Sequence, residues 1–166
     1  YFFQPVANSY RTISGTNLNF FDDEVAQITP SFPIPFGGSS FSSLFVSNNG
    51  IISFDSAFSD YINTPLPAAG PQTLVAPFWT DLSSPTSTQN VFWEEAGSTP
   101  NRELVIEWRD VSCNFCSDRS FDTVKFQVVF FEGKSDVLFN YADVVFGAPC
   151  AQYDRGALGT VGVLGV

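Results

Sequence analysis

The sequence predicts an all-β fold, a two-layer antiparallel β-sandwich of jelly-roll-like form with about ten strands. Composition is the first observation behind that expectation. Of 166 residues, 44% are apolar, carried by 19 Phe with no Met, and 12 Gly with 11 Pro punctuate the chain. Phe, Val and Ile suit half-buried pleated surfaces, and strong helix formers are sparse. The second observation is a period of two: Leu104, Ile106 and Trp108 alternate with Val105, Glu107 and Arg109, which places three large apolar groups on one face. The third is turn chemistry at the boundaries, Asn49-Gly50 above all. No stretch keeps a 3.6-residue period beyond two turns, and no repeat or linker divides the chain.

From the N-terminus, residues 1–16 read as an arm or an edge strand, and 17–166 as the sandwich. Val25 to Ile28 is followed by Pro30-Ser31-Phe32-Pro33-Ile34-Pro35-Phe36-Gly37-Gly38, where alternate prolines remove donors on one side and suit a sheet edge or an extended polyproline-like run. Leu44 to Ser47 and Ile51 to Phe54 flank Asn48-Asn49-Gly50, and the positive φ that Asn-Gly tolerates closes them into a hairpin. Asp55 to Gln72, rich in Ser, Pro, Ala and Gly, reads as a long surface connection. Thr73 to Leu82 is almost continuously apolar and reads as a central strand in which Pro77 demands a bulge or an edge register. Val91 to Glu95 is a short strand. Val124, Phe126, Val128 and Phe130 repeat the alternation, and Phe131 to Asp136 turns the chain into Val137 to Tyr141. Thr160 to Val166 is the last strand.

In order along the chain, Phe21-Asp22-Asp23-Glu24, Pro35-Phe36-Gly37, Val46-Ser47-Asn48-Asn49-Gly50-Ile51-Ile52-Ser53-Phe54, Asn63-Thr64-Pro65-Leu66-Pro67, Ala76-Pro77-Phe78-Trp79-Thr80-Asp81-Leu82, Val91-Phe92-Trp93, Val105-Ile106-Glu107-Trp108-Arg109-Asp110-Val111, Phe126-Gln127-Val128-Val129-Phe130, Val137-Leu138-Phe139-Asn140-Tyr141 and Gly156-Ala157-Leu158-Gly159-Thr160-Val161-Gly162-Val163 make the chain similar to the nidogen-like domain and its bacterial relatives. The resemblance spans Asn19 to Val163. It implies an extracellular, non-catalytic β-sandwich used for adhesion, matrix contact or assembly, and it carries no catalytic residues with it. Tyr1 to Thr16 and the three cysteines stand outside the pattern.

The formal charge of −10, from 17 acidic and 7 basic residues, repels phosphate backbones and anionic lipid, so nucleic acid and membrane insertion are not expected. The chain has no His, which removes Ser-His-Asp and Cys-His arrangements, and an enzyme is not expected. A start at Tyr1, with no cationic and apolar leader, suits a mature secreted chain or a trimmed one.

Asp22, Glu24 and Asp81 are the candidate Ca²⁺ ligands, hard oxygens of which Asp22 and Glu24 share a side if the segment is a strand. Cys113, Cys116 and Cys150 supply one disulfide with the pairing open, and one remaining thiol. Trp79, Trp93 and Trp108, with Tyr61 and Tyr141, are candidates for stacking on glycans. The carboxylates of Glu94, Glu95, Glu107 and Asp110 lie too close along a strand to converge for glycoside hydrolysis. Tyr1, Phe2, Phe3 and Val6 form an apolar arm, either donated to a neighbouring subunit's open sheet edge or folded back as an edge strand. The function expected is therefore a secreted structural or adhesive subunit that binds itself or other extracellular proteins. A calcium- or carbohydrate-binding accessory domain of a secreted hydrolase is the alternative.

Overall fold

The computed structural model describes residues 2–67, 69–116, 123–148 and 150–165; Tyr1 and Val166 lie outside them. In chain order the strands are β1 (Thr16–Asn17), β2 (Val25–Ile28), β3 (Ile34–Phe36), β4 (Ser39–Phe41), β5 (Leu44–Ser47), β6 (Ile51–Ser53) and β7 (Leu74–Trp79). They continue as β8 (Leu82–Ser83), β9 (Val91–Ala96), β10 (Glu103–Cys113), β11 (Thr123–Phe131), β12 (Val137–Asp143) and β13 (Thr160–Leu164), with a short 3-10 segment at Ala151–Gly156. One sheet has the order β1-β9-β10-β11-β12, with β8 on the end of β10; the other has the order β13-β7-β6-β5-β2. All pairs are antiparallel.

The predicted two-layer sandwich forms, with more strands than expected. The additional ones, β1, β4 and β8, are two or three residues long, too short for a period of two to register. Leu104, Ile106 and Trp108 of β10 and Val124, Phe126, Val128 and Phe130 of β11 all enter one core, opposite Leu44, Val46, Ile52, Val75 and Phe78. Trp108 stacks on Phe126 with ring centroids 5.0 Å apart, and Phe78 stacks on the same ring at 5.4 Å. Such offset pairs add to the area that these rings remove from water.

Pro77 sits where the β13–β7 register slips between Thr160 and Gly162, the bulge its missing N–H requires. The proline run also resolves simply. Phe32, Ile34 and Phe36 point inward while Ser31 and Pro33 face solvent, and β3 pairs only with β4 in a separate hairpin.

Both layers are covered on their outer faces as well. Over β6 and β7, Phe58 and Leu66 from the 55–72 connection pack on Ile51, Leu74, Ala76 and Trp79, so this connection is a lid on the sheet and not only a surface loop. Over β9, β10 and β11, Ile13 packs on Phe92, Val105 and Val129. That second cover is the N-terminal arm.

Candidate functional site

The outward face of the β9–β12 sheet carries a row of side chains that runs across the strands. Gln127 is the register partner of Asn140 on one side and of Glu107 on the other, and Glu107 faces Phe92. Asn140, Gln127, Glu107 and Phe92 therefore form one cross-strand ladder. Its polar members point away from the core yet are all buried, a state that costs several kcal/mol unless each finds a partner.

The partner is the backbone of residues 9–13. Asn140 Oδ1 accepts from Ser9 N at 3.1 Å, Gln127 Oε1 from Arg11 N at 3.4 Å, and Glu107 Oε2 from Ile13 N at 3.2 Å. Gln127 Nε2 also donates to the Arg11 carbonyl. Alternate residues of an extended chain point the same way, so residues 9, 11 and 13 each meet a rung.

Further bonds lock the arm sideways. Asn8 Nδ2 donates to the Tyr141 carbonyl at 2.9 Å, Arg11 pairs with Glu103 at 2.6 Å, and Ser14 N donates to Glu94 Oε2 at 2.9 Å. At Gly15 a Cβ would lie 2.1 Å from the Trp93 carbonyl oxygen, so only glycine passes this close before β1 joins β9. Residues 8–14 of the arm are thus neither an edge strand nor a loose tail. They form an extended strap held by side chains across the sheet face.

Glu107 is the centre of this arrangement. Its carboxylate takes Arg109 at 2.7 Å and the Tyr10 hydroxyl at 2.5 Å besides Ile13 N, and Arg109 lies 4.0 Å over the Phe92 ring while donating to the Ile13 carbonyl. The bond to Glu107 holds the Arg109 guanidinium above its usual pKa, against the opposing effect of burial. Burial first, then the Glu107 carboxylate, push the Tyr10 phenol well above its ordinary range.

A phenol whose folded pKa is raised contributes stability fully present below its unfolded pKa, about 10, and lost as pH rises beyond that value. Raising the pH from 8 to 11 is therefore expected to loosen the strap, seen as faster proteolysis within residues 9–13. The Tyr10→Phe variant should show no such rise; equal acceleration in both proteins would remove Tyr10 from the latch.

Beyond Asn8 the arm changes character. Phe2 is 89% exposed, Phe3 64% and Val6 61%. These residues flank a groove between β12 and β13, the terminal strands of the two sheets on one side of the sandwich.

At the acidic site the carboxylate oxygens of Asp22, Asp23 and Asp81 lie within 4.8 Å of one another. Glu24 is not in this group. Its Oε2 accepts from Phe21 N at 2.5 Å. The strand alternation that favoured Glu24 fails because Asp23 adopts a φ of 51°, so the segment is a turn. Asn49 Nδ2 donates to Asp23 Oδ1 at 2.8 Å, and Asn114 N donates to the Asp81 carbonyl at 3.0 Å.

The disulfide joins Cys116 to Cys150, and Cys113 is buried at the end of β10. Trp79 and Trp108 are core residues, donating to the Asp60 and Ser47 carbonyls at 2.8 and 3.0 Å, so neither is presented to a sugar. Glu94, Glu95 and Glu107 each bind backbone N–H groups of other segments, at Ser14, Ser31 and Ile13, and Asp110 pairs with Lys125 at 2.9 Å.

The ladder was not anticipated as a site. Its signal is a polar residue at the middle outward position of β10, β11 and β12, with apolar Val105, Val129 and Leu138 on the same face, a surface too apolar to lie open. A family model described as NIDO related matches residues 1–165, a span that takes in the whole strap. No solved structure matches the chain.

Proposed function

The chain belongs to the NIDO-related family, and on that premise we propose that it is a secreted, non-catalytic contact domain, the repeating subunit of an extracellular assembly joined through its N-terminal arm. The observation that carries this reading is the division of labour within the arm. Residues 8–14 are held by a built ladder, while Phe2, Phe3 and Val6 are presented to solvent, an arrangement that is an aggregation liability unless it has a partner. Among the described residues β12 and β13 are the terminal strands of their sheets, and such an edge offers a partner a strand to pair with. A disulfide between Cys116 and Cys150 suits an oxidising compartment. The commitment of the outward carboxylates to strap and loop backbone suits a domain without turnover.

Removing residues 1–8 tests the reading. The native protein is expected to run as a self-associated species, a dimer or larger, and the truncated one as a monomer with unchanged β-rich circular dichroism. Assemblies of normal size from the truncated chain would overturn it. The proximity of Asp22, Asp23 and Asp81 favours a second reading, a calcium-binding accessory domain. A native protein that is monomeric, with a melting temperature that rises in Ca²⁺, would favour that second reading.

A further inference from the structure

We propose that the groove between β12 and β13 is the seat of a second copy's arm tip, and that two copies exchange tips reciprocally about a two-fold axis. This inference rests on the self-association proposed above and adds to it the site, the occupant and the symmetry.

The groove has a volume of about 960 Å³. It is lined by Val137, Phe139 and Tyr141 of β12, by Val161 and Val163 of β13, and on a further side by Phe2 to Val6 of the arm tip itself. The tip does not seal the groove of its own chain, because Phe2, Phe3 and Val6 remain mostly in solvent. A space of this size, walled by valines and aromatic rings, matches the chemistry of a Phe-Phe-x-Pro-Val segment.

Three observations point to a second copy as the occupant. Among the described residues, the arm tip holds three of the ten exposed large apolar side chains within five positions, so the chain itself supplies the complementary ligand. Among the described residues the groove lining includes a single charged one, Asp136, although the chain as a whole carries −10. Two molecules of this net charge repel one another, and a lining with one carboxylate adds little to that repulsion. Finally, Asn8 is fixed at the β12 edge by its bond to Tyr141, and the six residues from Phe2 to Ala7 reach at most about 20 Å beyond it. That is enough to cross into an abutting neighbour without undoing the ladder.

The symmetry follows from adjacency. Tip and groove belong to one continuous patch, and a patch that carries both halves of a contact is self-complementary and closes on a two-fold axis. Pro5 lacks an N–H, which an added edge segment tolerates. Both tips are then spent within one pair, the arm-joined unit, and any larger assembly would be of such pairs meeting through other surfaces.

Sedimentation of the full chain, disulfide intact, over a concentration series tests this. The smallest associated species is expected to be a dimer, weakened at least tenfold by Val161→Glu and by Phe3→Ser. Ile62→Glu, an exposed apolar position that does not line the groove, should leave it unchanged. Phe3 is far too exposed for its loss to unfold the domain, so that variant keeps the test valid if Val161→Glu folds poorly. An equimolar mixture of Val6→Cys and Val161→Cys chains should form a mixed disulfide on oxidation. Unchanged association in both Val161→Glu and Phe3→Ser, or a ladder of odd and even oligomers, would overturn the reciprocal groove and leave self-association standing by another contact. A natural chain monomeric at every concentration would sink both.

Discussion

Gly50→Ala is expected to destabilise the domain by about 2–5 kcal/mol, the sum of a left-handed penalty and an overpacking penalty, against a typical total of roughly 5–15 kcal/mol. Gly50 closes the turn between β5 and β6 with a φ of +74°. A Cβ there would lie 2.1 Å from the Phe78 carbonyl oxygen and 2.7 Å from its carbon. These are backbone atoms of a strand buried on both faces, so neither can retreat cheaply.

The turn is this tight because it is a hub. Asn48 Oδ1 accepts from Glu24 N at 2.9 Å and Asn48 Nδ2 donates to the Leu82 carbonyl at 2.6 Å. Asn49 Oδ1 accepts from Leu82 N at 2.8 Å, and Trp108 reaches the Ser47 carbonyl. Three segments distant in sequence thus meet on one turn, and a displacement of Gly50 disturbs all of them. Gly133→Ala is the control. Its φ of +70° carries the same conformational penalty, but nothing lies within 4 Å of the new Cβ, so a loss of about 1 kcal/mol is expected. Urea midpoints separate the two. Equal shifts for both variants would show that the close approach at Phe78 relaxes without cost.

The layers of this fold were legible because they are written in alternation. The inward set of β10 and β11 is every second residue from Leu104 to Trp108 and from Val124 to Phe130, and all of it enters the core. Pro77 likewise announced its bulge through a missing donor. What alternation cannot report is the second face. Glu107, Gln127 and Asn140 look like ordinary solvent-facing positions until the arm is laid across them, and the residues that bury them are 94 to 131 positions away in sequence. Asn48 and Asn49 were read as turn formers, which they are, but their side-chain amides do as much by tying down Glu24 and Leu82. The acidic cluster failed in one member for a similar reason: a single left-handed residue, Asp23, turns a strand argument into a turn argument.

Glu107→Ala is expected to free the strap while leaving the sandwich folded. The substitution strands three groups at once, Ile13 N, the Tyr10 hydroxyl and the Arg109 guanidinium, and removing one member of a buried ion pair costs about 3–5 kcal/mol. The domain need not bear that cost globally. Residues 9–13 lie on the sheet without backbone pairing to it, held by side chains, so peeling the strap returns the stranded groups to water and caps the loss at the docking energy of the arm. The inward face of β10 is untouched, since Leu104, Ile106 and Trp108 point into the other layer.

The signature is consequently local. Cleavage within residues 9–13 should accelerate by roughly 100-fold for about 3 kcal/mol of lost docking, because proteolysis of an opened segment tracks its population. Near-ultraviolet circular dichroism from the buried Trp108 should persist. Tyr10→Phe removes one hydrogen bond to a carboxylate, worth about 1.5 kcal/mol at the low end, and should accelerate cleavage only about tenfold. If Glu107→Ala lowers the global midpoint without exposing the arm, the strap is integral to the core and could not act as an independent tether. If cleavage is unchanged, the ladder does not hold the arm. The predicted result, a released strap on an intact sandwich, would show that this sheet face is built as a socket for an extended segment.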